Sequence, residues 1–167
     1  MNPTKFNIKW CITVKIISFI VSGILLGICV IMTPLLLSSN NYIVLIIKVI
    51  TIFGFLLVVF SYSPNKLEFT NQGITIHKVI GKVTINYNQI SSIFPDYQAN
   101  WDIRLWGSGG LFGYFGVFKN QEIGKYQAYV GNYKQAFLIQ TKEDKNYIIS
   151  CENKDKAIEI ITKNIKI

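Results

Sequence analysis

Two apolar stretches follow one another near the start of the chain, over about residues 12–37 and 42–62, and this pair governs what the rest can become. Their uninterrupted runs, Ile16 to Leu37 and Ile43 to Phe60, are separated by the polar stretch Ser38-Ser39-Asn40-Asn41. A helix rises about 1.5 Å per residue, so each stretch is close to the roughly 20 residues that cross a hydrocarbon core of about 30 Å. The pattern predicts a two-helix transmembrane hairpin within residues 1–63. Residues 64–167 are then left for a single domain of ordinary size.

The charges orient the hairpin. Lys5, Lys9 and Lys15 precede the first span, Lys66 follows the second, and the loop carries none. Basic flanks mark the cytoplasmic side, and a hairpin returns both chain ends to one face, which predicts a cytoplasmic N-terminus and a cytoplasmic domain. Trp10 and Tyr62 at the inner interface and Tyr42 at the outer one fit the aromatic belts of a bilayer. A cleaved signal is disfavoured, because the run exceeds a signal core of roughly 7–15 residues and a second span follows directly. Half the residues are hydrophobic, but they concentrate before residue 63, and the domain has a solvated surface of alternating sign, as in Lys142-Glu143-Asp144-Lys145.

Within the spans, Gly23 and Gly27 form a GxxxG pair, flanked by Ser18 and Ser22. Small residues four apart share a helix face, which predicts close packing on the second span around Thr51 and Gly54, with dimerisation through the same face as the alternative. Pro34 is expected to kink or end the first helix. Lys48 is expected to snorkel toward the outer interface, with a role in an ion or substrate path as the alternative.

After Pro64 the period becomes that of strands. Lys66 to Phe69, Ile74 to His77, Val83 to Tyr87, Phe112 to Phe118, Gln127 to Val130, Phe137 to Gln140 and Tyr147 to Ile149 alternate between turn signals. After Cys151 the apolar residues Ala157, Ile158, Ile161 and Ile165 recur at helical spacing, with Asn153 as N-cap. The expected fold is α+β: the two-helix hairpin, then a β-roll or barrel of about seven strands closed by a C-terminal helix.

The order Pro64-Asn65-Lys66-Leu67, Gly73-Ile74-Thr75-Ile76, Gly81 and Ile85-Asn86-Tyr87-Asn88-Gln89-Ile90 resembles the opening of bacterial pleckstrin-homology-like (PH-like) domains. The run Arg104 to Tyr114, then Gly124-Lys125-Tyr126, Ala136 to Ile139 and Tyr147 to Ser150, is similar to one such family in the same order. The resemblance implies a PH-like roll, often found behind membrane spans, no known catalytic activity, and a bacterial inner membrane as its place. Eukaryotic PH domains that hold phosphoinositides use basic residues around the first hairpin; the corresponding turn here, Thr70-Asn71-Gln72-Gly73, has none.

No catalytic set, metal site or cofactor site is expected. His77 is the single histidine, which excludes a multi-histidine metal site and a histidine triad by count. Cys11, Cys29 and Cys151 form no CxxC pair and suit a reducing cytoplasm. The run holding Gly107, Gly109, Gly110, Gly113 and Gly116 is no phosphate cradle, since GxGxxG would need glycine at Phe112 and no Gly-Lys-Ser/Thr follows. It reads instead as a bent or bulged strand. Asp96 and Asp102 read as solvated loop carboxylates. The ring-rich loop from Phe94 supplies the candidate interaction surface, Tyr97, Trp101, Arg104 and Trp106, with core and rim packing as the competing reading.

These readings converge on a non-enzymatic, membrane-anchored domain with the lipid bilayer and a membrane-proximal protein as partners. A lipid or small-molecule sensor using Gly107 to Gly116 as a ligand lip, and an accessory subunit of a transport complex contacting Lys48, are the alternatives. Nucleic acid is not an expected partner despite the net charge of +8, because no basic stripe interleaves with aromatics.

Overall fold

Strand pairing begins ahead of the apolar hairpin. The computed structural model describes residues 3–38, 42–97 and 102–165. In it, β1 (Thr4–Asn7) precedes the helices α1 (Ile12–Ser38) and α2 (Tyr42–Ser61). There follow β2 (Pro64–Phe69), β3 (Gly73–Lys78), β4 (Lys82–Asn86), β5 (Ile90–Phe94), β6 (Ile103–Gly110), β7 (Gly113–Asn120), β8 (Gly124–Val130), β9 (Ala136–Thr141), β10 (Asn146–Ser150) and α3 (Lys154–Ile165). The strands make one sheet ordered β1-β2-β3-β4 and a second ordered β5-β9-β10-β8-β7-β6. The α+β class holds, with ten strands among the described residues where about seven were expected. Two of the additions have plain causes: the tail supplies β1, and the glycine-rich run folds into two strands.

The assignment of residues 1–63 to a tail and membrane hairpin alone is corrected at its start. β1 pairs antiparallel with β2, Phe6 opposite Leu67 and Thr4 opposite Phe69. The linker then crosses to the second sheet: Ile8 N–H donates to Asn65 O at 2.8 Å and Cys11 N–H to Gly131 O at 2.9 Å. Gly131 is glycine because a Cβ there would lie 2.6 Å from the Lys9 carbonyl oxygen. Phe6 and Ile8 join Leu67, Phe69, Ile74, Ile76, Phe137, Ile139 and Ile149 in the core between the sheets, which α3 closes with Ala157 and Ile161 one turn apart. On the other face of the larger sheet, Phe118, Tyr126, Ala128, Val130, Leu138 and Ile148 form a second cluster.

The two apolar helices differ in length, 27 residues against 20. The surplus lies at the start of α1, where Val14 and Ser18 are buried against the domain. Counted from Ser18, α1 keeps about 30 Å, the same as α2, and both helices are long and apolar enough to cross a membrane. Because β1 and β2 share a sheet, the chain enters and leaves the hairpin on one side. Pro34 lies inside α1, so the expectation that it ends the helix is corrected. Gly23, Gly27 and Gly54 have open space where a Cβ would stand, with nothing within 4 Å. No atom of α2 approaches α1 closely at Gly23 or Gly27.

Candidate functional site

The glycine-rich run is a hairpin. β6 and β7 pair antiparallel and turn through Leu111 and Phe112. Gly107 and Gly116 face one another with φ of 109° and 117°. A Cβ on Gly107 would lie 2.1 Å from the Phe115 carbonyl oxygen, and one on Gly116 2.3 Å from that of Trp106, so neither position admits another residue. Gly110 and Gly113 close the tip, while Gly109 lies under the Arg104 guanidinium, whose Nη1 would be 3.3 Å from its Cβ.

Phe112 is the point of attachment. Its φ of 58° is left-handed, at a cost of roughly 1–2 kcal/mol for a residue with a side chain. Both of its backbone groups are held by serines: the amide donates to Ser18 Oγ at 2.8 Å, and the carbonyl accepts from Ser63 Oγ at 2.5 Å. The Ser18 hydroxyl in turn donates to Val14 O at 2.7 Å. The Phe112 ring packs on Trp10 and Phe60, with centroids 6.1 and 5.3 Å apart. The tip thus sits between the domain-proximal ends of α1 and α2. Sequence spacing paired Ser18 with Ser22 on a helix face and gave no sign of this role; the only available cue was the flanking of Leu111-Phe112 by Gly110 and Gly113.

From this anchor β6 runs along the outside of the larger sheet, with β7 as its one neighbour among the described residues. Pairing shifts register between Arg104 and Trp106, leaving Leu105 as an extra residue in a bulge. As a result Arg104, Leu105 and Trp106 are all exposed, and Ile103 and Trp106 are each 64% accessible. Trp106 meets the Tyr62 ring edge-on at 6.3 Å, and Lys78 Nζ stands 4.9 Å from the centroid of the same ring.

Of the four residues expected to form one surface, the structure leaves Arg104 and Trp106 on that edge. Trp101 lies outside the described residues. Tyr97 turns inward, which corrects its place in the surface: its hydroxyl donates to Asp102 Oδ2 at 2.9 Å and its ring meets Tyr126 edge-on. Asp102 is half-buried rather than solvated, a second correction. It also accepts from Tyr126 Oη at 2.6 Å and from the Asn120 amide. Burial first, then the bond to Asp102, pushes the Tyr97 and Tyr126 hydroxyls well above the usual phenol range, so both remain donors. Asp96 is exposed and pairs with Lys154 at 2.9 Å.

Carboxylates also fix the tail to the domain. Lys5 pairs with Glu68 at 3.2 Å, beside a His77 Nε2 to Glu68 bond of 2.7 Å, and Lys9 pairs with Glu152 at 2.9 Å. The bond from His77, then that from Lys5, holds the Glu68 carboxyl below its usual range; Lys9, then the Asn7 amide, does the same for Glu152. Among the described residues, no group of three histidine, cysteine, aspartate or glutamate side chains is placed to hold a metal ion.

A family model described as Bacterial PH domain matches residues 65–165. No curated protein and no solved structure matches the chain. The matched span begins after the helices, so β1 and the helix ends that grip Phe112 lie outside what the family model describes.

Proposed function

The chain belongs to the bacterial PH domain family, and from that premise we propose that it is a non-enzymatic, membrane-anchored module that offers β6 to a protein partner at the cytoplasmic face. PH domains are interaction modules and generally non-catalytic. The observation that carries the reading is the edge strand: among the described residues no strand pairs with its outer side, and it exposes Ile103, Leu105 and Trp106. An extended segment of a partner adds to such an edge through main-chain hydrogen bonds, with alternate side chains giving selectivity. Arg104, the residue that would guard the edge by charge, lies back over Gly109.

The membrane supports the reading from the other side. α1 beyond Ser18 and all of α2 expose large apolar residues around the helix, among them Phe19, Ile24, Val30, Ile43, Ile50, Phe53 and Val58. A soluble monomer rarely exposes an apolar patch beyond a few hundred Å². Lys5 and Lys9 ahead of α1, Lys15 in its first turn and Lys66 behind α2 favour the cytoplasmic side. Anchored this way, β6 meets partners at the bilayer surface.

The test is photocrosslinking in native membranes with p-benzoylphenylalanine in place of Ile103, and in place of Lys163 on α3 as control. The expected result is one discrete adduct at 103 that Leu105→Asp abolishes and that 163 does not give. No adduct, or the same adducts at both positions, overturns the proposal.

A further inference from the structure

A cleft of about 180 Å³ opens beside the end of α2, lined by Tyr62, Lys78, Trp106, Phe115, Gln127 and Tyr129 together with Gly116 and Val117. Its height is set by covalent and hydrogen-bonded links to the helix. Tyr62 is the residue after α2 ends, and the β3–β4 turn hangs from the same place, with Ile80 N–H donating to Ser61 O at 2.8 Å and Val79 N–H to Ser63 O at 2.9 Å. That turn exposes its apolar residues, Ile80 at 69%. Trp106 and Tyr62 meet edge-on beside the end of α2, and they are residue types that gather at a membrane interface.

The cleft's one charged group is a donor, Lys78. Lys78 Nζ caps the Tyr62 ring at 4.9 Å and, among the described residues, makes no ion pair. The Tyr129 hydroxyl donates to Gln127 Oε1 at 3.1 Å, so the Gln127 side chain is held at the cleft by its oxygen and its amide nitrogen keeps its N–H groups. No carboxylate lines the cleft. Its volume is below the roughly 300–1,000 Å³ of sites that enclose a whole small molecule, so it suits one polar end of a larger molecule whose remainder lies outside.

We propose that this cleft holds the phosphate-bearing headgroup of one anionic phospholipid, with Lys78 and Gln127 as its donors, Trp106 and Tyr62 against its glycerol region, and its acyl chains along α2. The site is remote from the Thr70–Gly73 turn, which lies at the other end of β2 and β3. It rests on the reading of α1 and α2 as spans, and it shares Trp106 with the edge offered by β6.

The experiment uses the full chain reconstituted in phosphatidylcholine vesicles with and without phosphatidylglycerol, then extracted in mild detergent for native mass spectrometry. The expected result is one retained phosphatidylglycerol per chain in preference to phosphatidylcholine. Retention falls about fivefold in Lys78→Gln, the loss of one lysine near a charged headgroup, and falls also in Gln127→Ala, an exposed position on β8. Equal retention of the two lipids, or unchanged retention in both variants with thermal stability preserved, overturns the proposal. Alkaline carbonate extraction of the same membranes reads the spans separately: release of the wild-type chain sinks the membrane reading itself.

Discussion

The backbone amide of Phe112 donates to the Ser18 hydroxyl at 2.8 Å, joining residues 94 positions apart and fastening the β6–β7 hairpin to α1. Ser63, two residues beyond α2, takes the carbonyl of the same residue. One strained residue therefore touches both helices, and any shift of α1 against α2 must move the tip of the hairpin whose other end carries the exposed edge.

Ser18→Ala leaves a partly buried amide without its acceptor and is expected to cost about 1–3 kcal/mol. Ser63→Ala should cost a similar amount, and the double variant less than their sum, because both serines act on one residue. Thermal unfolding of the detergent-solubilised chain reads all three. If Ser18→Ala is as stable as wild type, the hairpin is not held in this way.

The tail should be part of the domain's stability. Phe6 is buried at 8% accessibility and meets Phe69 edge-on at 5.6 Å. Phe6→Ala should cost about 3 kcal/mol, at the low end for a core phenylalanine because the strand lies at a sheet edge. A chain that begins at Pro64 should bind a hydrophobic dye and aggregate, since β2 becomes an uncovered edge beside Leu67 and Phe69. A monomeric, cooperatively folding 64–167 fragment would show that β1 is dispensable.

That tail marks the limit of what the sequence disclosed. The helices, seven of the strands and α3 were legible because each carries its own period: uniform apolarity in α2, alternation in β3, and Ala157 with Ile161 four apart in α3; β5 and β6 were not read as strands of their own. Thr4-Lys5-Phe6-Asn7 has one apolar residue in four, and its pairing with Phe69 closes a loop around the whole hairpin. Nothing local encodes that. The inward turn of Tyr97 was hidden for the same reason, because Asp102, Asn120 and Tyr126 come together only once β6, β7 and β8 lie side by side. Arg104 and Trp106 stayed on the surface through a bulge that sequence spacing does not announce.

Within that buried group, Tyr126→Phe removes one donor from Asp102 and should cost about 1 kcal/mol. Asp102→Leu should cost more, since it leaves Tyr97 and Tyr126 hydroxyls and the Asn120 amide without their common acceptor. Chemical denaturation of the two variants gives the order, and equal stability would mean that Asp102 is solvated in practice.

The Cys151 thiol should be inert while the chain is folded. It is buried, and burial pushes its pKa up to about 11, so little thiolate forms at neutral pH. Maleimide labelling of a Cys11→Ser, Cys29→Ser variant at pH 7.5 should proceed only in denaturant. Rapid labelling under native conditions would place Cys151 in contact with solvent.

The attachment of the tail should weaken in acid. Glu68 and Glu152 both have carboxyl groups held below the ordinary value of 4.5, the first by His77 and Lys5 and the second by Lys9. A carboxylate depressed in the folded state contributes stability that is fully present above its unfolded value and lost as pH falls through the folded one. The loss is therefore expected below about pH 4.5, with nothing from these two groups between pH 6 and 8. Amide hydrogen exchange over Thr4–Asn7, corrected for the intrinsic rate, should accelerate between pH 4.5 and 3 relative to β9 and β10. Glu68→Gln should remove part of that dependence and Glu68→Gln with Glu152→Gln more of it. The two glutamates sit at different points of the tail, one opposite Lys5 on β1 and one against Asn7 and Lys9 where the chain leaves it. If exchange in β1 keeps pace with β9 at every pH, the ion pairs do not hold the strand, and its place in the sheet rests on the ladder with β2 and on the burial of Phe6 and Ile8.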